Sequence, residues 1–284
     1  MGDATDLHFR AAGLRLAALA WGDDATPPAL CLHGWLDNAE SFRPLAEALE
    51  GARRVVALDL PGHGHSEHFG TGWSGHFVDV VPAVVRVIET LGDGGRVDLI
   101  GHSMGAGIAA VVAGSFPSLI QRLVLIEGFG PMADEADNAP TRLAKALAAE
   151  RALKPSRTWP SFEAAVTARM KGLTELDLMA AHRLVERGAE AVPGGYRFRY
   201  DPRLRLPSRV RFTEDQVCAF LASITAPVLA IRATQGWPFP EEVVARRAAA
   251  IADLRVETVT GGHHVHLSHP QLVAPPVTSH LAGE

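Results

Sequence analysis

Cysteine is scarce in this 284-residue chain, with Cys31 and Cys218 as the whole complement. Each lies in an apolar strand or helix pattern, so the pair reads as buried free thiols, and a disulfide-stapled scaffold is excluded. No apolar run approaches the length of a membrane span. Residues 1–6 carry acidic side chains and no apolar core, so no secretory signal is expected. Basic charge is not in excess either. The 27 Lys and Arg against 32 Asp and Glu leave a net charge of -5, which implies no general attraction to nucleic acid or an anionic membrane. Internal repeats and low-complexity tracts are also missing. A cytoplasmic protein acting on small molecules, as a monomer or homodimer, is the resulting expectation.

What is present is ordinary globular material: 47% hydrophobic and 21% charged residues, in a chain long enough for one large domain with an insertion. Short apolar runs alternate with helical patterns. Strands are expected near 7–10, 14–20, 29–32, 54–58, 96–100, 122–127, 228–232 and 254–258. Helices are expected near 43–49, 75–91, 104–115 and 241–252, with a last one after Pro270 that Pro275-Pro276 delays or breaks. This rhythm is that of an α/β fold: an eight-stranded, mostly parallel sheet with helices on both faces. It stops after Glu127 and resumes at about Thr225. An unstructured stretch of that length would be improbable, so residues 131–212 are expected to form an inserted helical cap, with helices at 141–152 and 161–171, and 1–130 and 213–284 to form the core.

The most informative segment is Gly101-His102-Ser103-Met104-Gly105, directly after the apolar run 97–100 and before the small, apolar 106–112. A serine on so sharp a strand-to-helix turn needs small neighbours two residues away, and the turn exposes its hydroxyl. Ser103 is the expected nucleophile. A serine is weak at neutral pH unless a histidine takes its proton and a carboxylate holds that histidine in the right tautomer. In Gly261-Gly262-His263-His264-Val265-His266, beyond the last expected strand, His263 directly follows the glycines and is the expected base; a one-residue shift in register would exchange it for His264, and His266 is the other alternative. Grouped imidazoles also suit a metal, but carboxylate and cysteine partners are not clustered with them in sequence, so no metal and no cofactor is expected. The loop after the strand at 228–232, residues 233–240, has no carboxylate. Glu127 stands at the end of an otherwise apolar strand, where an unpaired charge would be costly, and is the expected acid. Oxyanion donors are expected from the amides of Met104 and Trp35. His33, Gly34, His102 and Phe129 are placed at the substrate pocket.

Five passages in order, His33-Gly34-Trp35-Leu36-Asp37-Asn38, Asp59-Leu60-Pro61-Gly62-His63-Gly64-His65-Ser66, the serine turn, Ile126-Glu127-Gly128 and Gly262-His263, resemble the α/β-hydrolase fold superfamily, in its serine hydrolase-like subgroup with a helical cap. That resemblance implies the same nucleophile, base and oxyanion amides. It implies an acid after the sixth strand, in place of the commoner site after the seventh. The passage at 59–66 borders the active site in that pattern and lacks a P-loop lysine. A serine where related epoxide hydrolases and dehalogenases carry aspartate favours hydrolysis of carboxylic esters or thioesters through an acyl-enzyme; a carbon-carbon bond hydrolase or lyase, or a slow-turnover receptor, are the alternatives. Residues 131–212 hold 15 Lys and Arg against 10 Asp and Glu, leaving 12 against 22 elsewhere. Six of these cations, Arg197, Arg199, Arg203, Arg205, Arg209 and Arg211, fit either a solvated face or an attraction to anionic substrates.

Overall fold

The computed structural model describes residues 4–49, 51–73, 76–172 and 174–284. Eight strands form one sheet: β1 (Thr5–Ala11), β2 (Leu14–Trp21), β3 (Pro28–Leu32), β4 (Arg54–Leu58), β5 (Val97–His102), β6 (Ile120–Ile126), β10 (Val228–Gln235) and β11 (Leu254–Gly262). Their order across the sheet is β1-β2-β4-β3-β5-β6-β10-β11. The β1 and β2 pairings are antiparallel, and every other pairing is parallel. All eight expected strands are present.

Alternation along each strand sorts the core into two layers. Leu99, Leu123 and Leu125 face a layer shared with α2 (Val81–Gly92) and α3 (Met104–Ser115), while Ile100, Val124 and Ile126 face a layer shared with α1 (Arg43–Ala48) and α10 (Pro270–Ala282). The start expected for α2, Gly75, lies outside the described residues. The helix itself begins at Val81 with Pro82 in its first turn, where a missing N–H costs nothing. Pro275 and Pro276 neither delay nor break α10. Both lie on its exposed or half-exposed side, so the carbonyls they leave unbonded stand near solvent.

Between β6 and β10 the chain forms α4 (Ala139–Arg151), α5 (Phe162–Met170) and α6 (Leu178–Gly188), then α7 (Glu214–Ala222) leads back to the sheet; α8 (Glu241–Ala250) follows β10, and the one-turn α9 (Val265–Ser268) precedes α10. The expected all-helical insertion needs correction. It also carries a small antiparallel sheet of β7 (Thr158–Trp159), β8 (Ala189–Val192) and β9 (Gly195–Phe198), in the order β7-β9-β8. Val192-Pro193-Gly194-Gly195 makes the hairpin turn, with both glycines at positive φ. The alternating Tyr196-Arg197-Phe198-Arg199-Tyr200 after it was a readable strand signal.

Two buried ion pairs join the insertion to the sheet. Arg169 of α5 reaches Asp37 in the loop after β3. Arg187 of α6 reaches Asp59 after β4, with Nε donating at 2.9 Å. Asp59 also accepts from the amides of Ala39 and His65, which settles the 59–66 passage as a brace between loops.

Candidate active site

Parallel strands that end in register bring their following turns together. His102 pairs with Ile126, and Ile126 with Ile231, so the residues just past β5, β6 and β10 stand side by side. The amide of Ser103 donates to the carbonyl of Ile126, and that of Glu127 donates to the carbonyl of Ile231, each at 2.9 Å. Both residues take positive φ, 53° and 52°, an uncommon conformation for side chains of their kind. Such strain marks residues whose direction is imposed by the surroundings. At Gly105 a Cβ would overlap the carbonyl oxygen of Leu32, so only glycine lets α3 come this close to β3.

The structure brings Ser103, His263 and Glu127 into one chain of hydrogen bonds. A carboxylate only accepts, so His263 Nδ1–H donates to Glu127 Oε2 at 3.0 Å and leaves Nε2 free to accept from the Ser103 hydroxyl at 2.8 Å. Glu127 and His263 are both buried. The remaining capacity of the carboxylate is taken up by the amides of Ala233, 2.6 Å from Oε1, and Trp237, 2.7 Å from Oε2. These donors come from the end of β10 and the loop after it, a stretch, 233–240, that the sequence shows to lack an acid. A Cβ on Gly236 would sit on the Glu127 carboxylate, so this loop is shaped around it.

The neighbouring imidazoles do other work. His264 Nε2 donates to Asp37 Oδ2 at 3.1 Å, and His266 lies against Ser41. His102 Nε2 donates to the backbone carbonyl of His263 at 2.8 Å, fixing the turn that carries that ring. Burial, followed by the field of His266 and His263, pushes His102 well below the ordinary histidine range; burial pushes His266 down to about 3. Both are therefore neutral at neutral pH. Burial alone would push Asp37 up, but His264 and Arg169 outweigh it and hold the carboxyl well below its usual value. Asp37, His102 and His264 bring one possible ligand atom each within 4.8 Å of one another. Arg169 already supplies a cation to that carboxylate, and Asp37 with His264 and Arg169 reads as a hydrogen-bonded brace beside the buried His102.

A cavity of about 810 Å³ opens over Ser103 and His263 and is lined on its sheet side by Gly34, Trp35, His102 and Met104. Among the described residues the Trp35 amide has no acceptor. Met104 is the first residue of α3, where a helix leaves its N–H unbonded. Both residues line the cavity into which Ser103 opens. The Trp35 indole donates to the Leu204 carbonyl of the insertion at 2.8 Å.

Two expected pocket residues are not on the cavity wall. His33 is fully buried behind it, its Nδ1–H donating to the Gly34 carbonyl and its Nε2 accepting from the Leu60 amide. Phe129, buried at 3% exposure, packs into the core layer of α3. Sequence reasoning missed the Ala233 and Trp237 amides, since backbone donors carry no residue signature.

A sequence profile of the alpha/beta hydrolase fold family matches residues 27–270. A serine hydrolase-like protein of Danio rerio is 30% identical over 277 residues, 94% of this chain and 85% of that protein. The crystal structure of a hypothetical protein from Pseudomonas aeruginosa PAO1 superposes with a TM-score of 0.89 at 39% identity, over 99% of this chain and 100% of the other. A thioesterase domain from the curacin biosynthetic pathway superposes with a TM-score of 0.85 at 25% identity, over 99% and 100%. Among the described residues no helix is long and apolar enough to cross a membrane.

Proposed function

Given that this chain belongs to the alpha/beta hydrolase family, in its serine hydrolase-like subgroup, we propose that it hydrolyses carboxylic esters and thioesters of small to medium size through an acyl-enzyme, without a cofactor. The observation that carries this reading is the continuous relay from Glu127 through His263 to the Ser103 hydroxyl, opening into a substrate-sized cavity.

Ser103 Oγ attacks the scissile carbonyl while His263 Nε2 takes its proton. Glu127, held by two amides and acceptor-only, keeps the donor on Nδ1 and stabilises the imidazolium that forms. The Trp35 and Met104 amides receive the oxyanion. His263 then protonates the departing alcohol or thiol, and a water activated by the same ring hydrolyses the acyl-serine. Residues 131–212 act as the cap that closes the cavity and selects the substrate. The thioesterase neighbour supports including thioesters.

The test is turnover of p-nitrophenyl esters from acetate to laurate by the native protein and by Ser103→Ala. A drop of about 10³-fold or more in kcat for the variant is expected. Equal turnover by both proteins, or none by the native protein, would reject the reading.

A further inference from the structure

Four arginine side chains line the cavity: Arg169, Arg203, Arg205 and Arg211. Two of them are neutralised where they stand. Arg169 is held by Asp37, and Arg203 by Asp201 at 2.6 Å together with the carbonyls of Phe69 and Gly70. The rest of the arginine run in this part of the chain is also accounted for, with Arg197 and Arg199 sharing Glu190 and Arg209 taking Glu150.

Arg205 and Arg211 differ from all of these. Among the described residues no carboxylate stands within 4.0 Å of either, and neither guanidinium hydrogen-bonds within the protein. Arg211 is half-buried. The carboxylate whose field reaches it, Asp134, is already bound to Arg142 and Asn138, and Arg142 repels it. Burial and that repulsion together push its guanidinium below its ordinary value. A half-buried cation without a partner is costly. The neighbouring Arg197, Arg199, Arg203 and Arg209 each hold a carboxylate, and Arg205 and Arg211 do not. The two left over both line the cavity, Arg205 exposed and Arg211 half-buried, so an entering anion would offset the cost at Arg211 and meet a second, solvated charge at Arg205.

We propose that Arg205 and Arg211 form an anion subsite, so that the natural substrate is an ester or thioester bearing a carboxylate distal to the scissile carbonyl. A planar guanidinium matches a carboxylate through two parallel N–H donors, which gives orientation as well as charge. Of the six arginines singled out in the sequence, four are thus braces and two are assigned to substrate. The proposal rests on the hydrolase reading above, with the chemistry at Ser103 unchanged and only the far end of the substrate specified.

The test compares mono-p-nitrophenyl glutarate with p-nitrophenyl pentanoate, which match in carbon number and differ by a carboxylate for a methyl. The ratio of kcat/KM, glutarate over pentanoate, is expected to exceed about 10 in the native protein and to fall by about tenfold or more in Arg211→Met, mainly through KM. Arg211→Lys should keep part of the preference, and Arg209→Met, which removes a cation bound to Glu150, should leave the ratio where it was. A ratio near one in the native protein, or one unmoved by Arg205→Met and Arg211→Met together, overturns the proposal. If neither ester is turned over, the hydrolase reading is what fails. Titration calorimetry of glutarate against pentanoate then decides the subsite: glutarate binding lost in Arg211→Met upholds it, and no glutarate binding to the native protein overturns it.

Discussion

On the sheet side of the cavity, Ser103 and Glu127 sit on turns leaving the adjacent strands β5 and β6, His263 sits on the turn leaving β11, and each of their side-chain polar atoms meets a named partner at 2.6 to 3.0 Å. On the insertion side, Met132 and Val210 are 52% and 60% exposed, and Arg205 and Arg211 reach the cavity with no carboxylate beside them. The first side is held by register, burial and hydrogen bonds at once, so no single residue there can move alone. The second is a surface folded over a gap, fastened to the first by the Asp37–Arg169 and Asp59–Arg187 pairs. On the proposed function, the division assigns reactivity to the sheet and selection to the segment laid across it.

The sharpest way to break this division is Glu127→Gln. Its amide can offer a donor where His263 Nδ1 needs an acceptor, turning the ring to the wrong tautomer, and kcat should fall by about 10³- to 10⁴-fold with KM little changed. A KM effect as large as the kcat effect would show that the two sides are not separable.

Acid probes the sheet side next. Burial pushes His33, His63, His102 and His266 below the ordinary histidine range, to about 3 for His63 and His266. The unfolded chain binds protons at these positions below about pH 6.5 while the folded one does not, so their stabilisation is complete above that pH and lost on going down toward 3. Each can remove up to about 1.4 kcal/mol per pH unit in that window. Thermal melts should be level above about pH 6.5 and fall steeply below it; a melting temperature constant down to pH 4 would contradict the burial of neutral rings.

The fastenings give a smaller, graded effect. Asp59→Asn leaves the buried Arg187 with only the exposed Asp6, 3.6 Å away, and should cost about 3 kcal/mol in urea denaturation. Arg197→Ala, which removes an exposed partner of Glu190, should cost less than about 1 kcal/mol. Equal losses would mean that the insertion is held by its surface and not by its buried pairs.

Legibility followed the same division. All eight strands of the large sheet were readable because buried parallel strands are short apolar runs, and Ser103 was readable because its turn admits few sequences. Glu127 could be read as a charge at the end of an apolar strand. His263 was chosen for its place directly after two glycines, and it is the ring that meets Ser103; what separates it from His264 and His266 is otherwise what the tertiary fold brings to each. The brackets Asp37–Arg169 and Asp59–Arg187 span 132 and 128 residues and leave no local trace. His33 and Phe129 were misplaced because adjacency in sequence says nothing of which way a side chain turns. The small hairpin at 189–198 was legible in its turn and alternation, but was outweighed by the helical patterns around it.

The fit between Glu127 and Gly236 bears on inheritance. The acid's head fills the volume that any side chain at 236 would need, while the Trp237 amide from that same loop holds it. Two neighbouring strand ends therefore compete for a single seat. Along a lineage, a carboxylate can pass from one to the other only if the vacated and the occupied positions change together, so glutamate at 127 and the missing side chain at 236 form one hereditary unit.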